Sequence, residues 1–447
     1  MGPDTGARPP ETRYAFTPDG VSLAYHVVGD GPVDLLWIHA FMGGLEVMWE
    51  HEVMRDLTAR LTRFARVIRH DMRATGLSSR AATLPDLETQ VQDALTVLDA
   101  VGSRSTVIVG AGPGAHAALL FGATFPARAR ALCLWDLYAW TDSAFQERDL
   151  ELLTRNWGSE ASAGAAMADV APSLVGDRDF IRWYAKLQRH FVPPDVAAEL
   201  VRSARQIDVR PLLPAVHVPT LVLARNWPEN ELDRQMAEQI DGARFQLLPG
   251  TERASFAGNQ DDLVDAIRSF IGVEGATAPP QTLLRAVLFT DIVGSTEHLT
   301  RVGDEAWRAL LAAHDAMARQ AVEGQAGRII KSTGDGILAT FEGPAHAVRA
   351  ALAFETEVRQ LGIEVRAGVH VGEIEVTADD VMGVTVHVAA RVAAAAGASE
   401  VLVSETVKDL VAGSGLSFVD VGEHELKGVP GTRRLYRVTT GPSTARR

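Results

Sequence analysis

A short apolar segment that runs into an aspartate constrains this chain more than any other feature. Residues 286–289 (Ala-Val-Leu-Phe) have the composition of a buried strand, and Asp291 follows after one threonine. Gly294, Ser295 and Thr296 come next, and the backbone N–H groups of such small residues can bind an anion. A carboxylate at a strand end beside such a turn is typical of sites that hold a divalent cation and a polyphosphate.

A second aspartate lies in a predicted hairpin. Residues 331–336 (Lys-Ser-Thr-Gly-Asp-Gly) contain Asp335 between two glycines. If residues 284–290 and 327–341 form adjacent strands, Asp291 and Asp335 lie close together and repel each other unless cations lie between them. Two cations can drive an in-line displacement at phosphorus. Each aspartate also has a structural interpretation, because Asp-Gly is a common turn and an aspartate after a strand is often a helix cap.

The composition excludes several classes of function. The chain has 447 residues, of which 47% are hydrophobic and 22% charged, so two or three soluble domains are expected. The net charge of -14, with no block of lysine and arginine, argues against binding to nucleic acid. The longest apolar stretch, residues 107–123, is interrupted by glycine and proline, and residues 1–12 lack a signal-peptide pattern. We therefore expect a cytoplasmic protein with no membrane partner.

Residues 272–283 divide the chain, because they are small, contain proline and have no periodicity. Before this linker, residues 13–271 alternate apolar strands with amphipathic helices, which predicts a doubly wound, largely parallel α/β sheet. The predicted strands are 33–38, 66–69, 106–109, 131–134, 220–223 and 245–248. Residues from about 141 to 206 break the alternation and predict an inserted helical cap.

After the linker, residues 284–440 follow a β-α-β-β-α-β order, which predicts an α+β, ferredoxin-like core. The predicted strands are 284–289, 327–332, 336–341 and 364–371, and the predicted helices are 305–323 and 345–360. A later alanine-rich helix over 386–396 puts His387 and Arg391 one turn apart on the same face, just after Asp380. The structural interpretation of this pair is an exposed arginine and a core histidine.

The first half resembles the α/β-hydrolase superfamily. The shared motifs are Trp37-Ile38-His39-Ala40, residues 71–78 (Asp-Met-Arg-Ala-Thr-Gly-Leu-Ser), residues 110–114 (Gly-Ala-Gly-Pro-Gly), residues 219–223 (Pro-Thr-Leu-Val-Leu) and Leu248-Pro249-Gly250. The superfamily places its nucleophile at the centre of G-x-S-x-G, where this chain has Gly112. No carboxylate follows the strand ending at Leu223 until Glu229. Arg253 follows the Leu-Pro-Gly turn where the histidine is expected, and an arginine stays protonated.

We therefore expect a catalytically silent first domain. It would bind an unidentified small molecule beneath the cap, near Gly112 and His39, or serve in assembly. The alternative is an esterase with a displaced nucleophile, either Ser78 or Ser255.

The second half resembles the class III nucleotide cyclase catalytic domain of the actinobacterial type. The motifs of this resemblance are residues 289–296 (Phe-Thr-Asp-Ile-Val-Gly-Ser-Thr), 331–336, 368–373 (Gly-Val-His-Val-Gly-Glu), 389–391 (Ala-Ala-Arg) and 425–428 (Glu-Leu-Lys-Gly). The fusion with a hydrolase-like half is similar to a mycobacterial arrangement. The resemblance implies an adenylyl cyclase, which converts ATP to 3′,5′-cyclic AMP and pyrophosphate.

The resemblance also implies a role for each site residue. Asp291 and Asp335 match the pair that binds two divalent cations, Mg²⁺ or Mn²⁺. Lys331 and Asp380 match the pair that recognises the purine, and a lysine donor with a carboxylate suits the edge of adenine. Arg391 matches the arginine that stabilises charge on the α-phosphate.

The other substrate contacts follow from the same resemblance. Arg434 lies near the position of the family's triphosphate-contacting lysine, and His387 replaces an asparagine that orients the ribose. Histidine can still donate a hydrogen bond but is bulkier and titrates, so activity is expected to be lower or pH-dependent unless His387 is simply an accepted variant. The backbone groups expected around the phosphates belong to Ile292, Val293, Gly294, Ser295 and Thr296.

The family builds each site from two chains, so one such domain implies a C₂ homodimer. A nucleotide-binding sensor that turns over weakly, with the hydrolase-like half as its ligand-binding module, remains an alternative.

Overall fold

The computed structural model describes residues 9–39, 43–80, 84–137, 150–151, 154–228, 230–272, 282–332, 334–376 and 381–439. The chain forms two compact units, Met1–Pro279 and Pro280–Arg447. Among the described helices, none has the length and apolar composition needed to span a membrane. Ala40, Glu229, Asp380 and residues 273–281 of the predicted linker lie outside the described residues.

The described part of the first unit contains an eight-stranded sheet in the order β1-β2-β4-β3-β5-β6-β7-β8. The strands are β1 (Arg13–Phe16), β2 (Ser22–Val28), β3 (Val33–His39), β4 (Ala65–His70), β5 (Thr106–Ala111), β6 (Ala129–Trp135), β7 (Thr220–Ala224) and β8 (Arg244–Leu247). From β4 to β8 all neighbours are parallel, and β1 and β2 are antiparallel. The central strands are apolar and buried because helices cover both faces of a parallel sheet. The prediction of a largely parallel α/β sheet is confirmed.

Helices of the first unit surround this sheet. They are α1 (Leu45–Glu50), α2 (Glu52–Leu61), α3 (Leu87–Ala100), α4 (Pro113–Thr124), α5 (Glu160–Val170), α6 (Arg178–Phe191), α7 (Pro194–Gln206), α8 (Asn230–Ala237) and α9 (Gln260–Gly272). The helices α5 to α7 lie between β6 and β7 and confirm the helical cap over its described part. Asp177 caps α6 by accepting from Phe180 N at 3.0 Å, and Trp183 Nε1 donates to Val47 O at 2.7 Å, which ties the cap to α1.

The described part of the second unit contains a sheet in the order β10-β11-β9-β12-β14-β16-β15, with β13 paired to β12. The strands are β9 (Thr282–Ile292), β10 (Arg328–Ser332), β11 (Ile337–Phe341), β12 (Val365–Val376), β13 (Val381–Met382), β14 (Val401–Ser404), β15 (Ser417–Glu425) and β16 (Thr432–Thr439). The helices are α10 (Ser295–Val302), α11 (Asp304–Glu323), α12 (Pro344–Val358), α13 (Val384–Ala395) and α14 (Glu405–Leu410). The predicted β-α-β-β-α-β core is confirmed, and strands β14 to β16 extend it.

Helix α13 packs closely on the centre of this sheet. Its Ala389 belongs to one buried cluster with Val287 of β9 and Leu338 of β11. A Cβ atom at Gly368 of β12 would lie 2.1 Å from Ala393 N, so this strand position must be glycine for the helix to come so near. Because side chains alternate along a strand, Asp291 points to the same face of β9 as Val287, which is the α13 face.

Candidate active site

Asp291 lies one residue before the end of β9 and is paired with an arginine. Its register partner on β12 is Arg366, whose Nε donates to Asp291 Oδ2 at 2.8 Å and whose Nη2 donates to the same oxygen. The side chains are 32% and 36% exposed, so solvent screens the pair. In the described structure no other donor contacts Asp291, which leaves Oδ1 open to a further ligand. Sequence reasoning missed Arg366, because only strand register brings it to Asp291.

The β10–β11 hairpin brings Asp335 next to Asp291. Ile292 N donates to Asp335 O at 2.9 Å, and Ile337 N donates to Thr290 Oγ1 at 3.2 Å. A Cβ atom at Gly336 would lie 1.9 Å from Thr290 O, so only glycine permits this close approach. The Asp-Gly turn of the hairpin and the aspartate at the end of β9 are thus in direct backbone contact.

The turn after Asp291 contacts the hairpin through a side chain. Ser295 Oγ donates to Asp335 Oδ2 at 2.6 Å, and Gly294 has φ 67°, a left-handed conformation that starts α10 immediately after the strand. The N–H groups of Ile292 and Val293 donate to Asp335 O and Glu364 O, both at 2.9 Å. Two of the five predicted phosphate-binding backbone groups therefore already have protein acceptors.

The N–H groups of Gly294, Ser295 and Thr296 begin α10 and have no acceptor in the described structure. The first turn of a helix has no intrahelical acceptors for its N–H groups, which makes these three the anion-binding candidates.

The two carboxylates form a donor set of hard oxygen atoms, which suits Mg²⁺ or Mn²⁺ rather than zinc. Within the described ranges, no group of three or more His, Cys, Asp or Glu side chains could hold a metal ion. Phosphate oxygens and water would therefore have to complete the coordination of a cation bound by Asp291 and Asp335, as is usual for Mg²⁺.

His387 and Arg391 occupy the exposed face of α13. Both side chains are exposed, while Val388, Ala389 and Val392 face the sheet. The prediction that His387 and Arg391 share a helix face agrees with the backbone. The structure brings neither of them into hydrogen-bond contact with the aspartates of the same chain.

Lys331 lies on β10 with an exposed side chain, and its register partner is Leu338 of β11. It thus belongs to the same hairpin as Asp335. Its predicted purine-recognising partner, Asp380, is among the residues outside the described ranges.

Arg434 lies far from the aspartates of its own chain. Its Nε is 3.2 Å from Asp420 Oδ2 in the β15–β16 hairpin. Arg366 pairs with Asp291 and lies at the end of β12 where the pairing of β12 with β14 begins. Arg434 lies at the other end of β14, because it precedes Leu435, the partner of Ser404. Arg366 and Arg434 are therefore separated by roughly 16 Å along the strand direction.

The elbow of the first unit has hydrolase geometry without a nucleophile. Gly112, with φ 56° and ψ -131°, connects β5 to α4. Asp136 follows β6 with φ 57°, and its Oδ1 accepts from Arg253 Nε at 3.0 Å. These two side chains are only 12% and 14% exposed. A carboxylate does exist here, but it follows β6, whereas sequence reasoning searched for it only after β7.

Arg225, just after β7, fixes the loop that contains Arg253. Its Nη1 donates to Ala257 O at 2.7 Å and its Nη2 to Asn259 O at 2.9 Å. Its guanidinium lies 5.2 Å from the ring centroid of Trp135. The loop is therefore held by a fully buried arginine, which limits any rearrangement of Arg253.

Ser78 has a structural role in the turn after β4. Its Oγ donates to Asp71 O at 2.6 Å and accepts from Ala24 N at 2.9 Å. Both bonds are buried, which argues against Ser78 as a displaced nucleophile. Ser255 is also buried.

Comparison with known proteins agrees with the division into two units. Residues 284–440 match the family model described as the adenylate and guanylate cyclase catalytic domain. The described sheet and the paired aspartates lie in the same region, so the second unit, which is less than half of the chain, is similar to this catalytic domain.

Two curated relatives are each similar to part of the chain. "Putative adenylate cyclase 3" of Rhizobium meliloti (strain 1021) is 34% identical over 155 residues, which cover 33% of this chain and 26% of the relative. An "Adenylate cyclase" of Glutamicibacter nicotianae is 26% identical over 223 residues, which cover 46% of this chain and 55% of that protein. The chain thus spans about a quarter of the first relative's length.

The first unit has a match among solved structures. A hydrolase from Pseudomonas aeruginosa PA01 superimposes with a TM-score of 0.50 at 25% identity, over 59% of this chain and 99% of that structure. The α/β-hydrolase fold of the first unit is confirmed. A fold does not define an activity, and the residues at the elbow decide that question.

Proposed function

We propose that this protein is an adenylyl cyclase that converts ATP to 3′,5′-cyclic AMP and pyrophosphate. The observation that supports this best is the junction of β9 with the β10–β11 hairpin. There the backbone hydrogen bond from Ile292 to Asp335 and the close approach at Gly336 hold the backbone of Asp335 against the end of β9, next to Asp291, in the region that matches the cyclase catalytic domain. The names of the two relatives favour adenylate over guanylate.

The mechanism assigns a role to each side chain. Asp291 and Asp335 would hold two divalent cations, which supply charge neutralisation at the triphosphate and lower the pKa of the ribose 3′-hydroxyl. The N–H groups of residues 294–296 bind phosphate oxygens, and Lys331 with Asp380 selects adenine.

The chemical step is an in-line displacement. The ribose 3′-oxygen forms a bond to the α-phosphorus as the bond from that phosphorus to the pyrophosphate oxygen breaks. Arg391 stabilises the charge that develops on the α-phosphate, and His387 orients the ribose through a hydrogen bond. Positioning and charge neutralisation supply most of the acceleration.

We infer that two chains complete each site in a C₂ homodimer. The exposed face of α13, with His387 and Arg391, supports this because nothing in the described part of its own chain covers it. Val384 and Met382 beside it are 74% and 50% exposed, and apolar exposure of this kind suits a subunit interface.

Subunit complementation tests the proposal directly. Asp291→Ala and Arg391→Ala chains should each lose cyclic AMP formation by at least ~100-fold, since each removes a charge from the transition state. Mixing them should restore about a quarter of the wild-type rate, because half of the dimers are mixed and each mixed dimer has one intact site of two. The product from Mn²⁺ and ATP is measured by chromatography.

The matched control mixes Asp291→Ala with Asp335→Ala. Both changes affect the carboxylate side of a site, so a mixed dimer has no intact site and the rate should not recover. Recovery in this control, or none in the first mixture while size-exclusion chromatography shows dimers, would contradict shared sites.

The second candidate is a nucleotide-binding sensor that turns over weakly, and His387 at the family's asparagine position favours it. The same incubation with ATP separates the two functions. A sensor binds a non-cyclisable analogue of ATP but forms almost no cyclic AMP from ATP itself, whereas a cyclase forms cyclic AMP.

We further propose that the first unit is a catalytically silent module that regulates the cyclase. Gly112 cannot be acylated, and the Asp136–Arg253 ion pair occupies the region where a base would have to act. The ligand that this module binds is an unidentified small molecule beneath the cap.

A further inference from the structure

Arg69 of β4 is a buried arginine without a carboxylate partner. The residue is 6% exposed, and in the described structure no acidic side chain forms an ion pair with it. Burial alone lowers the pKa of Arg69 to about 10, so the guanidinium remains charged at neutral pH. A buried charge without a counter-ion is strongly unfavourable, which indicates that a compensating group is missing.

The hydrogen bonds of this guanidinium are mostly unmade. Nη1 donates to Thr58 Oγ1 at 2.8 Å, and the guanidinium lies 5.7 Å from the ring centroid of Trp37. Nε and Nη2 have no acceptor in the described structure. Arg225 of the same unit, also buried, donates to two carbonyl oxygens within 3 Å. Arg69 thus has two guanidinium nitrogens without an acceptor, whereas in Arg225 only Nε lacks one.

A small cavity adjoins Arg69. Its volume is about 10 Å³, which is near the minimum for a single water-sized occupant. Val28, Leu45, Met48 and Val67 supply apolar walls, and the side chains of His26 and Trp49 complete the lining.

His26 adds no second charge to the cavity. Burial, the largest cause, lowers the pKa of His26 to about 4, so the imidazole is neutral at pH 7. Its Nε2 lies 2.9 Å from Thr12 Oγ1, which in turn donates to Glu46 Oε1 at 2.9 Å. Glu46 is therefore engaged on the far side of His26. Arg69, whose Nε and Nη2 lack acceptors, is thus the one charged side chain that lines this cavity.

We propose that this cavity binds a monatomic anion, a halide such as chloride, between the Arg69 guanidinium and the apolar wall. A halide accepts the hydrogen bonds of Nε and Nη2 and also neutralises the charge. A water molecule accepts the same bonds but leaves the charge uncompensated. The cavity is too small for phosphate or a carboxylate ligand. The bound halide would stabilise the first unit and link its stability to the anion in solution.

Diffraction from crystals of the full chain grown in sodium bromide locates the ion. We expect an anomalous bromide peak in the cavity, within hydrogen-bond distance of Arg69 Nε or Nη2. Density without an anomalous signal there, at bromide concentrations that label other sites, would identify a water molecule and overturn the proposal.

Thermal unfolding tests the same site in solution. All tryptophans except Trp307 lie in the first unit, so tryptophan fluorescence follows that unit. In sodium bromide, compared with sodium gluconate at equal ionic strength, the Tm should rise by roughly 3–5 °C for each tenfold increase in bromide above the Kd. Gluconate is too large for the cavity.

Arg69→Met should abolish the difference between the two salts. Arg66→Met is the matched control, because Arg66 lies on the same strand and pairs with Asp34 at 2.7 Å, so the difference should persist. Persistence in Arg69→Met would refute the site. If Arg69→Met does not fold, the anomalous experiment on the wild-type chain decides alone.

Discussion

A cation at the proposed metal site would share the Asp291 carboxylate with Arg366, since the guanidinium donates twice to Asp291 Oδ2 and leaves only Oδ1 free. Arg366→Ala removes the competitor and a positive charge beside the proposed metal site. We expect Mn²⁺ to bind several-fold more tightly in the absence of nucleotide, by about 1 kcal/mol, because the pair is solvent-exposed and each partner gains little from it. Isothermal titration with Mn²⁺ measures the change.

The control is Arg437→Ala, because Arg437 pairs with Glu400 at 2.6 Å and forms no ion pair with Asp291 or Asp335 in the described structure. Its Mn²⁺ affinity should equal that of the wild type. Weaker Mn²⁺ binding by Arg366→Ala would mean instead that Arg366 positions the carboxylate rather than competing for it.

Single residues also show which contacts the sequence could predict and which it could not. Asp291 and Asp335 could be paired from the strand pattern alone, because a hairpin brings neighbouring strand ends together. Arg366 and Asp136 could not be found, since each meets its partner only through register or a distant loop. The distance of Arg434 from Asp291 likewise depends on the β14–β16 pairing, which no local pattern encodes.

At the level of elements, the end of α11 offers a clean stability test. Ala326 follows that helix with φ 52° and an exposed side chain, a conformation that costs an alanine more than a glycine. Ala326→Gly should stabilise the second unit by about 1 kcal/mol, because only the backbone preference changes. Urea unfolding of the full chain, followed by the protection of the second unit's backbone amides from hydrogen exchange, measures this.

The matched control lies within α11. Ala312 is exposed in the helix interior, so Ala312→Gly should destabilise by about 1 kcal/mol. Equal effects of the two substitutions would show that the left-handed conformation at Ala326 is not maintained.

Elements differed in how readily the sequence predicted them. Strands β3 to β7 were predictable as short continuous apolar runs, because both faces of the parallel sheet are buried. The helices of the second core were predictable from a period of 3.6 residues. Helix α10 was not predicted, and none of its residues is buried, so it lacks an apolar stripe. Strand β15 is an edge strand that alternates poorly between exposed and buried positions, which explains why it too was missed.

At the scale of the whole molecule, a unit with the α/β-hydrolase fold precedes a unit that matches the cyclase catalytic domain. The elbow, the β6 aspartate and the loop after β8 remain in place, but Gly112 has no side chain and Arg253 is bound to Asp136. The proposed regulatory role of the first unit requires a fold that is kept while the nucleophile and the base are replaced, and these residues agree with it.

The final prediction follows from that arrangement. The full chain should not hydrolyse short-chain aryl esters above the buffer rate, and Gly112→Ser alone should not create activity. The new hydroxyl would have no base, because the Arg253 guanidinium stays protonated and is held by Asp136. Release of the aryl alcohol, followed by absorbance, measures both. Hydrolysis by the wild-type chain that disappears in Ser255→Ala or Ser78→Ala would show instead that a displaced nucleophile operates and that the first unit is an enzyme.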